Sequence, residues 1–463
     1  MKTKLHSLIN GLAVLLGGLA LLALTLPAAA ATRTWTGAGA NGFWTNAANW
    51  NGGLTVPVNG DGLIFPAGAA RLANTNAVGG PSNLVFLAFT GSNYTLVSPI
   101  SLALTNGLTN APAINQSNTV RANLELRANQ TWSLADKTVL TLASNVALGT
   151  FRLTLADGGS VDISGNVTGS GAAQLLKDNV GRLSLSGPAN SIPDCRVRDG
   201  TLTVEGTLSG SLSVSNGAVL SGSGTVPPFV CAGTVRPGGS SVGVLTVSGG
   251  TAAFQAGSTF QVNLNGPAPG TDYDQLRVSA PPSLSGATLS VLPGFSPIVG
   301  QSFVVITNTG AAAFTTTFTN LPEGSILTVS NLRLRVSYAG GDGNDVTLTA
   351  EGYNPSGVTR TWSGAGANGL WTNPTNWVGN TTPAQGDNLL FPPGAARANN
   401  TNDFPAGTTF HAITVSSNNY SLHGNSLRLN SGVQGVFASG SSTCNVPVVL
   451  AQAQTFSCLL YTS

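Results

Sequence analysis

The chain has 463 residues and a formal net charge of +2; only 8% of its residues are charged, and 59 are glycine. A nucleic-acid-binding protein concentrates lysine and arginine on its surface, so this composition argues against that class. Because glycine is abundant while lysine and glutamate are scarce, long amphipathic helices have little raw material, and an all-β protein is favoured.

The first 31 residues are typical of a secretory signal peptide. Lys2 and Lys4 precede an apolar run from Leu12 to Leu26, and four alanines at 28–31 offer small-residue cleavage sites. A membrane anchor is the alternative, although two glycines interrupt the run and it is short for a spanning helix. We therefore expect bacterial-type export to the medium or the outer cell surface, with no integral membrane segment in the visible chain once the signal is removed.

A long-range repeat organises the rest of the chain. The segment Thr32–Gly42 returns almost unchanged as Thr359–Gly369, and the similarity continues as far as Ser133 in the first copy and Ser457 in the second. A repeat of this length indicates two copies of one structural module. The sequence predicts a first module over 32–350, a linker over 351–358 and a truncated second module over 359–457.

The last six residues, 458–463, read Cys-Leu-Leu-Tyr-Thr-Ser. This string resembles the translation of an adaptor used to prepare sequencing libraries, so we exclude it from fold reasoning. A divergent natural terminus is the alternative. We expect the chain to break off inside the second module, so that any C-terminal anchor or secretion domain lies outside it.

Short apolar or alternating runs follow one another from about Leu84 to Leu348, separated by Gly, Asn, Ser and Asp, and each predicts a strand. Within them a glycine is often followed by a small or β-branched residue and an apolar one, as in Gly200-Thr201-Leu202 and Gly224-Thr225-Val226. Glycine suits a corner, after which the chain re-enters an extended strand. The pattern predicts stacked coils of a β-solenoid, with a β-sandwich as the alternative.

One stretch carries a family resemblance. Leu175–Asn190, followed by Gly200-Thr201-Leu202, resembles the passenger-associated transport repeat of autotransporter-associated β-strand proteins. The chain departs from that repeat at Asp178-Asn179-Val180 and at Arg182, where Gly and Thr are usual. The resemblance implies a right-handed parallel β-helix of the pectin-lyase-like kind on an exported protein, with no catalytic residues to transfer.

Each module opens with three tryptophans, for which two roles are open. They are Trp35, Trp44 and Trp50 in the first copy and Trp362, Trp371 and Trp377 in the second. Exposed indoles would suit stacking against sugars. Buried ones would cap the first coil and shield it from water and from edge-to-edge pairing, which is the role we favour.

The segment Gly340–Asp345 is a candidate calcium site. It reads Gly-Gly-Asp-Gly-Asn-Asp, which resembles the start of a toxin-type calcium-binding repeat. It occurs only once, so a plain turn carrying Asp342 and Asp345 is favoured. Asp61 and Asp387 follow glycines and are also predicted to be turn residues. No metal site and no cofactor are assigned.

Catalytic chemistry finds little support in the sequence. Asp272 and Asp274 form the closest carboxylate pair, but glycoside hydrolysis needs two acids that face each other across a cleft. Outside the signal peptide, histidine occurs only as His411 and His423, so the first module lacks a Ser-His-Asp site or a histidine metal site. We predict no enzyme and name no catalytic, cofactor-binding or metal-binding residue.

Cysteine use does not predict a disulfide framework. Excluding Cys458, three cysteines remain, at 195, 231 and 444, and an odd number cannot pair completely. Cys195 and Cys231 could bridge in an oxidising compartment, or stay as buried thiols.

We therefore expect a secreted or cell-surface β-helical protein of passenger type, structural or adhesin-like and without catalytic activity of its own. Extracellular glycans or other surface proteins are its expected partners. The alternative is a carbohydrate-binding or polysaccharide-degrading β-helix protein.

Overall fold

The computed structural model describes residues 30–451 and the backbone of 457–460. The predicted signal peptide lies outside the described residues except for Ala30 and Ala31, as do the side chains of the predicted adaptor tail. Within the described part, the chain is nearly all β, about 1% helical, and winds into a solenoid of about 18 turns with parallel stacked strands. This confirms the predicted parallel β-helix over the β-sandwich.

A typical coil of the first module has three strands, so the wall of the solenoid has three faces. Face 1 begins with Ala73–Thr75, which pairs in parallel with Thr95–Val97 of the next coil, and the same register repeats along the module. The strands of face 1 are Ala73–Thr75, Thr95–Val97, Ser117–Arg121, Val139–Leu142, Ser160–Ile163, the end of Gln174–Leu185, the end of Asn190–Val204, Val219–Gly222, Thr234–Pro237, Thr259–Leu264 and Thr288–Pro293.

Faces 2 and 3 complete each coil and are also parallel over most of their length. Face 2 contains the start of Asn83–Phe89, the start of Leu102–Asn110, Leu124–Leu126, Val146–Gly149, Val167–Gly169, the start of Asn190–Val204, the start of Leu208–Val214, Thr225–Val226, Val244–Val247, Gln275–Val278 and Ser302–Asn308. Face 3 contains Thr32–Thr34, Gly62–Phe65, the end of Asn83–Phe89, the end of Leu102–Asn110, Gln130–Leu134, Arg152–Asp157, the start of Gln174–Leu185, the middle of Asn190–Val204, the end of Leu208–Val214, Phe229–Cys231 and Ala253–Phe254.

Inward rows of aliphatic side chains fill the coil. On face 1, Leu96, Val120 and Leu142 stand in register on successive coils, and each is fully buried or nearly so. Alternate residues point outward, because successive side chains of a strand face opposite sides. Burial of one such side chain stabilises the fold by roughly 1.5–3 kcal/mol, so the repeated rows supply the main driving force.

The first module ends in an antiparallel hairpin structure that the sequence did not predict. Strands Ile326–Val329, Leu332–Gly340 and Asp345–Tyr353 pair antiparallel, and the last of them joins face 2 antiparallel to Ser302–Asn308. Leu334 is buried while Arg335 beside it is exposed, the alternation typical of a sheet with one solvated face. These strands cover the end of the coil stack.

The second copy repeats the opening of the first and has its own hydrophobic cluster, from Trp362 to Val446. The pairings between its strands are parallel, including that of the backbone of 457–460 with the end of Leu427–Phe437. Its strands are Thr359–Thr361, Asn388–Phe391, Asn399–Asn402, Thr408–Val415, Ser421–Gly424, Leu427–Phe437, Thr443–Cys444, Val448–Leu450 and Ser457–Leu460. Each copy also has one 3-10 helix, Ala47–Asn49 and Pro374–Asn376.

Candidate functional site

The three tryptophans of the first module form a buried cluster. Trp35, Trp44 and Trp50 are each at most 1% exposed, and Trp35 meets Trp50 edge to face with ring centroids 5.1 Å apart. Each indole N–H has a partner: Trp35 Nε1 donates to the Arg71 carbonyl at 2.7 Å, Trp44 Nε1 to Asn74 Oδ1 at 2.9 Å, and Trp50 Nε1 to the Trp44 carbonyl at 2.9 Å.

The second copy reproduces this cluster. Trp362, Trp371 and Trp377 are equally buried, and their indole N–H groups donate to Arg397, Asn400 and Trp371. No tryptophan of the two clusters presents a ring face to a ligand. The tryptophans are therefore the core of a cap and cannot serve as sugar-stacking platforms.

Asp61 and Asp387 do more than form turns. Asp61 is 1% exposed; its carboxylate accepts from Arg33 Nε at 2.9 Å and from the backbone N–H groups of Ala31 and Val58. Asp387 makes the corresponding ion pair with Arg360 at 2.9 Å. Both carboxylates tie the entering strand of a module to the loop before its second strand.

The closest carboxylate pair has separate structural tasks. Asp274 is fully buried and accepts from the backbone N–H groups of Gly243 and Asn263 and from Asn263 Nδ2, at 2.8–3.0 Å. Burial raises the pKa of Asp274, and these hydrogen bonds oppose that shift. Asp272 caps its own loop by accepting from the Ala268 N–H at 3.0 Å. The pair does not face a common cleft.

The Gly-Asp segment forms the hairpin turn between the last two strands of the first module. Asp345 Oδ1 accepts from the backbone N–H of Asn308 at 2.8 Å, which anchors the turn to face 2. Burial raises the pKa of the Asp345 carboxyl, and the nearby charge of Asp342 raises it further. No group of three or more His, Cys, Asp or Glu side chains among the described residues is arranged to hold a metal ion.

The three cysteines whose side chains the structure describes are unpaired. Cys195 and Cys231 are buried free thiols, and Cys444 is free and exposed. Cys195 is in register with Leu212 on the next coil, which is in register with Phe229 on the coil after it. Cys231 therefore lies two coils from Cys195, about 9.6 Å along the axis at 4.8 Å per strand, beyond the roughly 7 Å Cα limit for a disulfide.

Sequence reasoning gave no role to Lys177, which is fully buried inside the coil. It is in register with Leu155 on one side and Val197 on the other. Its Nζ donates to the carbonyl of Asn179 at 2.6 Å, to Asn179 Oδ1 at 2.8 Å and to the carbonyl of Asp199 at 2.9 Å. Burial lowers the pKa of this ammonium to about 8, although the charge of Asp199 opposes the shift. The sequence signal that could have revealed this role is a lysine at an inward-facing position of an otherwise apolar strand.

A junction of hydrogen bonds joins the two modules. Gln385 Nε2 donates to the Tyr353 hydroxyl at 3.0 Å and to the Pro297 carbonyl at 3.2 Å, while its Oε1 accepts from the Thr409 N–H at 3.0 Å. Asn331 Nδ2 donates back to the Gln385 carbonyl at 2.6 Å. The end of the first module is therefore bonded directly to the cap region of the second.

No helix among the described residues has the length and apolarity that a bilayer span requires. The chain matches no protein-family model, and no curated protein is significantly similar to it.

Proposed function

We propose that this chain is an exported β-helical protein of passenger type, displayed at or released from the cell surface, with a structural or adhesin-like role and no catalysis of its own. The observation that supports it most is the set of partners that the buried carboxylates bond to. Asp61, Asp274 and Asp345 each hold backbone N–H groups of neighbouring segments. These carboxylates therefore hold the backbone of the coil in place.

The outer surface of face 1 suits weak, repeated contacts. Thr95, Thr119 and Thr141 occupy one outward row on three successive coils and are half-buried. Such a row offers hydroxyl groups spaced about 4.8 Å apart on a rigid backbone ladder. Regularly spaced donors and acceptors can match a repeating polymer or another protein surface.

The absence of catalysis is tested by incubating the purified chain with acidic and neutral polysaccharides and measuring new reducing ends and unsaturated products. We expect no turnover above a heat-denatured control. Release of oligosaccharides at enzymatic rates would contradict the proposal.

Export is tested by joining residues 1–31 to a reporter that is active only outside the cytoplasm, with Leu15→Arg as a control that disrupts the apolar run. Reporter activity is expected only with the intact segment.

Carbohydrate binding remains a second candidate, at a place other than the tryptophans. Phe43 is 45% exposed and lines a shallow groove of ≈ 560 Å³ together with Asn41, Arg71 and Thr75. An exposed ring beside amide, hydroxyl and guanidinium groups is suited to a sugar. On a glycan array, saturable binding that is lost in Phe43→Ala would support this candidate. Phe43→Leu is the matched control, since the second copy has Leu370 there.

A further inference from the structure

A cleft lies where the two modules meet, on the side formed by the last hairpin of the first module. Its volume is ≈ 150 Å³. The first module contributes Arg333, Glu351 and Tyr353, and the second contributes Thr409, His411 and Arg428 among others. The lining is mostly polar.

Three buried polar atoms of this lining have no hydrogen-bond partner: Thr409 Oγ1, His411 Nδ1 and Arg428 Nε. A buried polar atom left without a partner costs about 1–3 kcal/mol, and more when the group is charged. Half of the six such atoms among the described residues line this one cleft. A group bound in this cleft would supply the missing partners.

The strand register explains why these side chains reach the cleft. Leu427 and Leu429 are fully buried in the core of the second module, so Arg428 between them points away from that core. Thr409 is in register with Arg428 on the neighbouring coil, and it is only 1% exposed. Thr409 and Arg428 therefore belong to the outer wall of the second module, where the first module covers it.

The first copy lacks this set of residues. Its Val85 donates its N–H to the Asp61 carbonyl as His411 does to the Asp387 carbonyl, so the two positions are equivalent. Ala103 is in register with Asn83 as Arg428 is with Thr409. The second copy thus has histidine and arginine where the first has valine and alanine.

The charge around the cleft favours an anion. Glu351 pairs with Arg335 at 2.6 Å, and this hydrogen bond, together with the charges of Arg335 and Arg333, lowers the pKa of Glu351 against the effect of burial. Arg333 and Arg428 make no ion pair within 4.0 Å among the described residues. Guanidinium groups bind carboxylate, sulfate and phosphate oxygens through paired N–H donors.

We propose that this cleft is a binding site for a small oxyanion, a carboxylate, sulfate or phosphate group, held by Arg428, Arg333 and His411. Arg428 and His411 belong to the second module and Arg333 to the first, so the bound anion bridges the two. Binding therefore stabilises the junction as well as occupying it. A free ion or an acidic group on a larger molecule would present the same oxygens.

The test is isothermal titration of the full chain with sodium sulfate, sodium phosphate and sodium acetate, each at constant ionic strength set with sodium chloride. We expect saturable binding of one anion per chain for at least one of the three, with a rise in the melting temperature. Arg428→Ala installs the residue of the first copy and is expected to weaken binding at least tenfold. Arg121→Ala, an exposed arginine of the first module, is the control and should bind like the parent chain.

Circular dichroism of Arg428→Ala establishes that the variant is folded before its binding is measured, and His411→Val provides a second variant that likewise takes its residue from the first copy. Absence of saturable binding for all three anions would overturn the proposal. A cleft that holds only water would bind none of them more tightly than the chloride already in the buffer. Equal affinity in Arg428→Ala and the parent chain would overturn it as well. Comparison of the three anions identifies which oxygen group the cleft prefers.

Discussion

Lys177 shows how a single polar residue is accommodated in an apolar coil. Neighbouring coils have Leu155 and Val197 at its position in the row. The ammonium keeps three acceptors at 2.6–2.9 Å, so its hydrogen bonds are made although its charge is removed from water. The balance of these two effects sets the pKa of Lys177.

The pKa of Lys177 predicts how stability changes with pH. Its folded pKa of about 8 lies below the ordinary value of 10.5, so the unfolded chain binds more protons between these limits and the free energy of unfolding rises with pH. Relative to Lys177→Met, the parent chain should gain about 1 kcal/mol between pH 7 and 9 and about 2–3 kcal/mol by pH 10. Denaturant unfolding at each pH measures this.

The difference in free energy of unfolding between the parent chain and Lys177→Met is free of the contribution of the buried thiols, because both chains contain them. Burial raises the pKa of Cys195 to about 12 and that of Cys231 to about 11, so both lower stability as the pH rises above 9. A difference that stays constant from pH 7 to 10 would show that the ammonium is not desolvated as described.

The separation of Cys195 and Cys231 gives a second prediction. We expect both thiols to remain free after purification under oxidising conditions and to react with a thiol reagent only when the chain unfolds, because both are buried and their pKa values are raised. Mass spectrometry of peptides from chains alkylated in denaturant measures this. A peptide that links Cys195 to Cys231 would contradict the two-coil separation.

At the level of single residues, the sequence predicted position better than role. The tryptophans were expected to form a cap, and their burial supports that interpretation. Lys177 and Gln385 were missed, because their roles depend on which strands become neighbours. Nothing adjacent in sequence shows that Lys177 faces Asp199 or that Gln385 reaches Tyr353.

The corner between faces 2 and 3 depends on close approach of backbones, which glycine permits. Gly210 has φ +114°, and a Cβ there would overlap the carbonyl oxygen of Ile192 on the preceding coil. Gly217 also has positive φ, +83°, but a Cβ there would meet nothing within 4 Å. Gly210 therefore combines a need for positive φ with a need for space, whereas Gly217 needs only the positive φ.

We predict that Gly210→Ala lowers the free energy of unfolding by about 3 kcal/mol or more, since it adds an overlap with backbone to the cost of positive φ. Gly217→Ala should cost only about 1–2 kcal/mol, the conformational term alone. Urea unfolding of both variants tests the comparison. Equal losses would mean that coil spacing does not constrain Gly210.

At the level of elements, the strands and their parallel stacking could be predicted because glycine, a small residue and an apolar residue recur in the right order. The antiparallel end could not. Leu332-Arg333-Leu334-Arg335-Val336 alternates like the strands of the coils, and alternation does not tell parallel from antiparallel pairing. The Gly-Asp turn before Asp345 was visible, but its partner strands are set by tertiary packing.

At the level of the whole molecule, the repeat predicted that the second copy begins as the first does, and both caps are alike. Some of the differences between the copies lie where they meet. Asn59 Oδ1 accepts from the N–H of Asn83, and Gln385 makes the same contact with Thr409; its longer side chain also reaches Tyr353 of the first module. A comparison of the two copies therefore indicates which residues serve the module and which serve the junction.

Stacking of the coils about a single axis underlies the proposed role, and three exposed or half-buried positions in one outward row of face 1 measure it directly. Ser117 and Thr201 are four coils apart, and Thr201 and Thr288 are four more. Spin labels on pairs of these positions, with Cys444 and Cys458 replaced by serine, report distances by double electron–electron resonance. We predict about 19 Å for each inner pair and about 38 Å for Ser117 to Thr288, at 4.8 Å per coil. An outer distance well below the sum of the two inner ones would contradict the single axis.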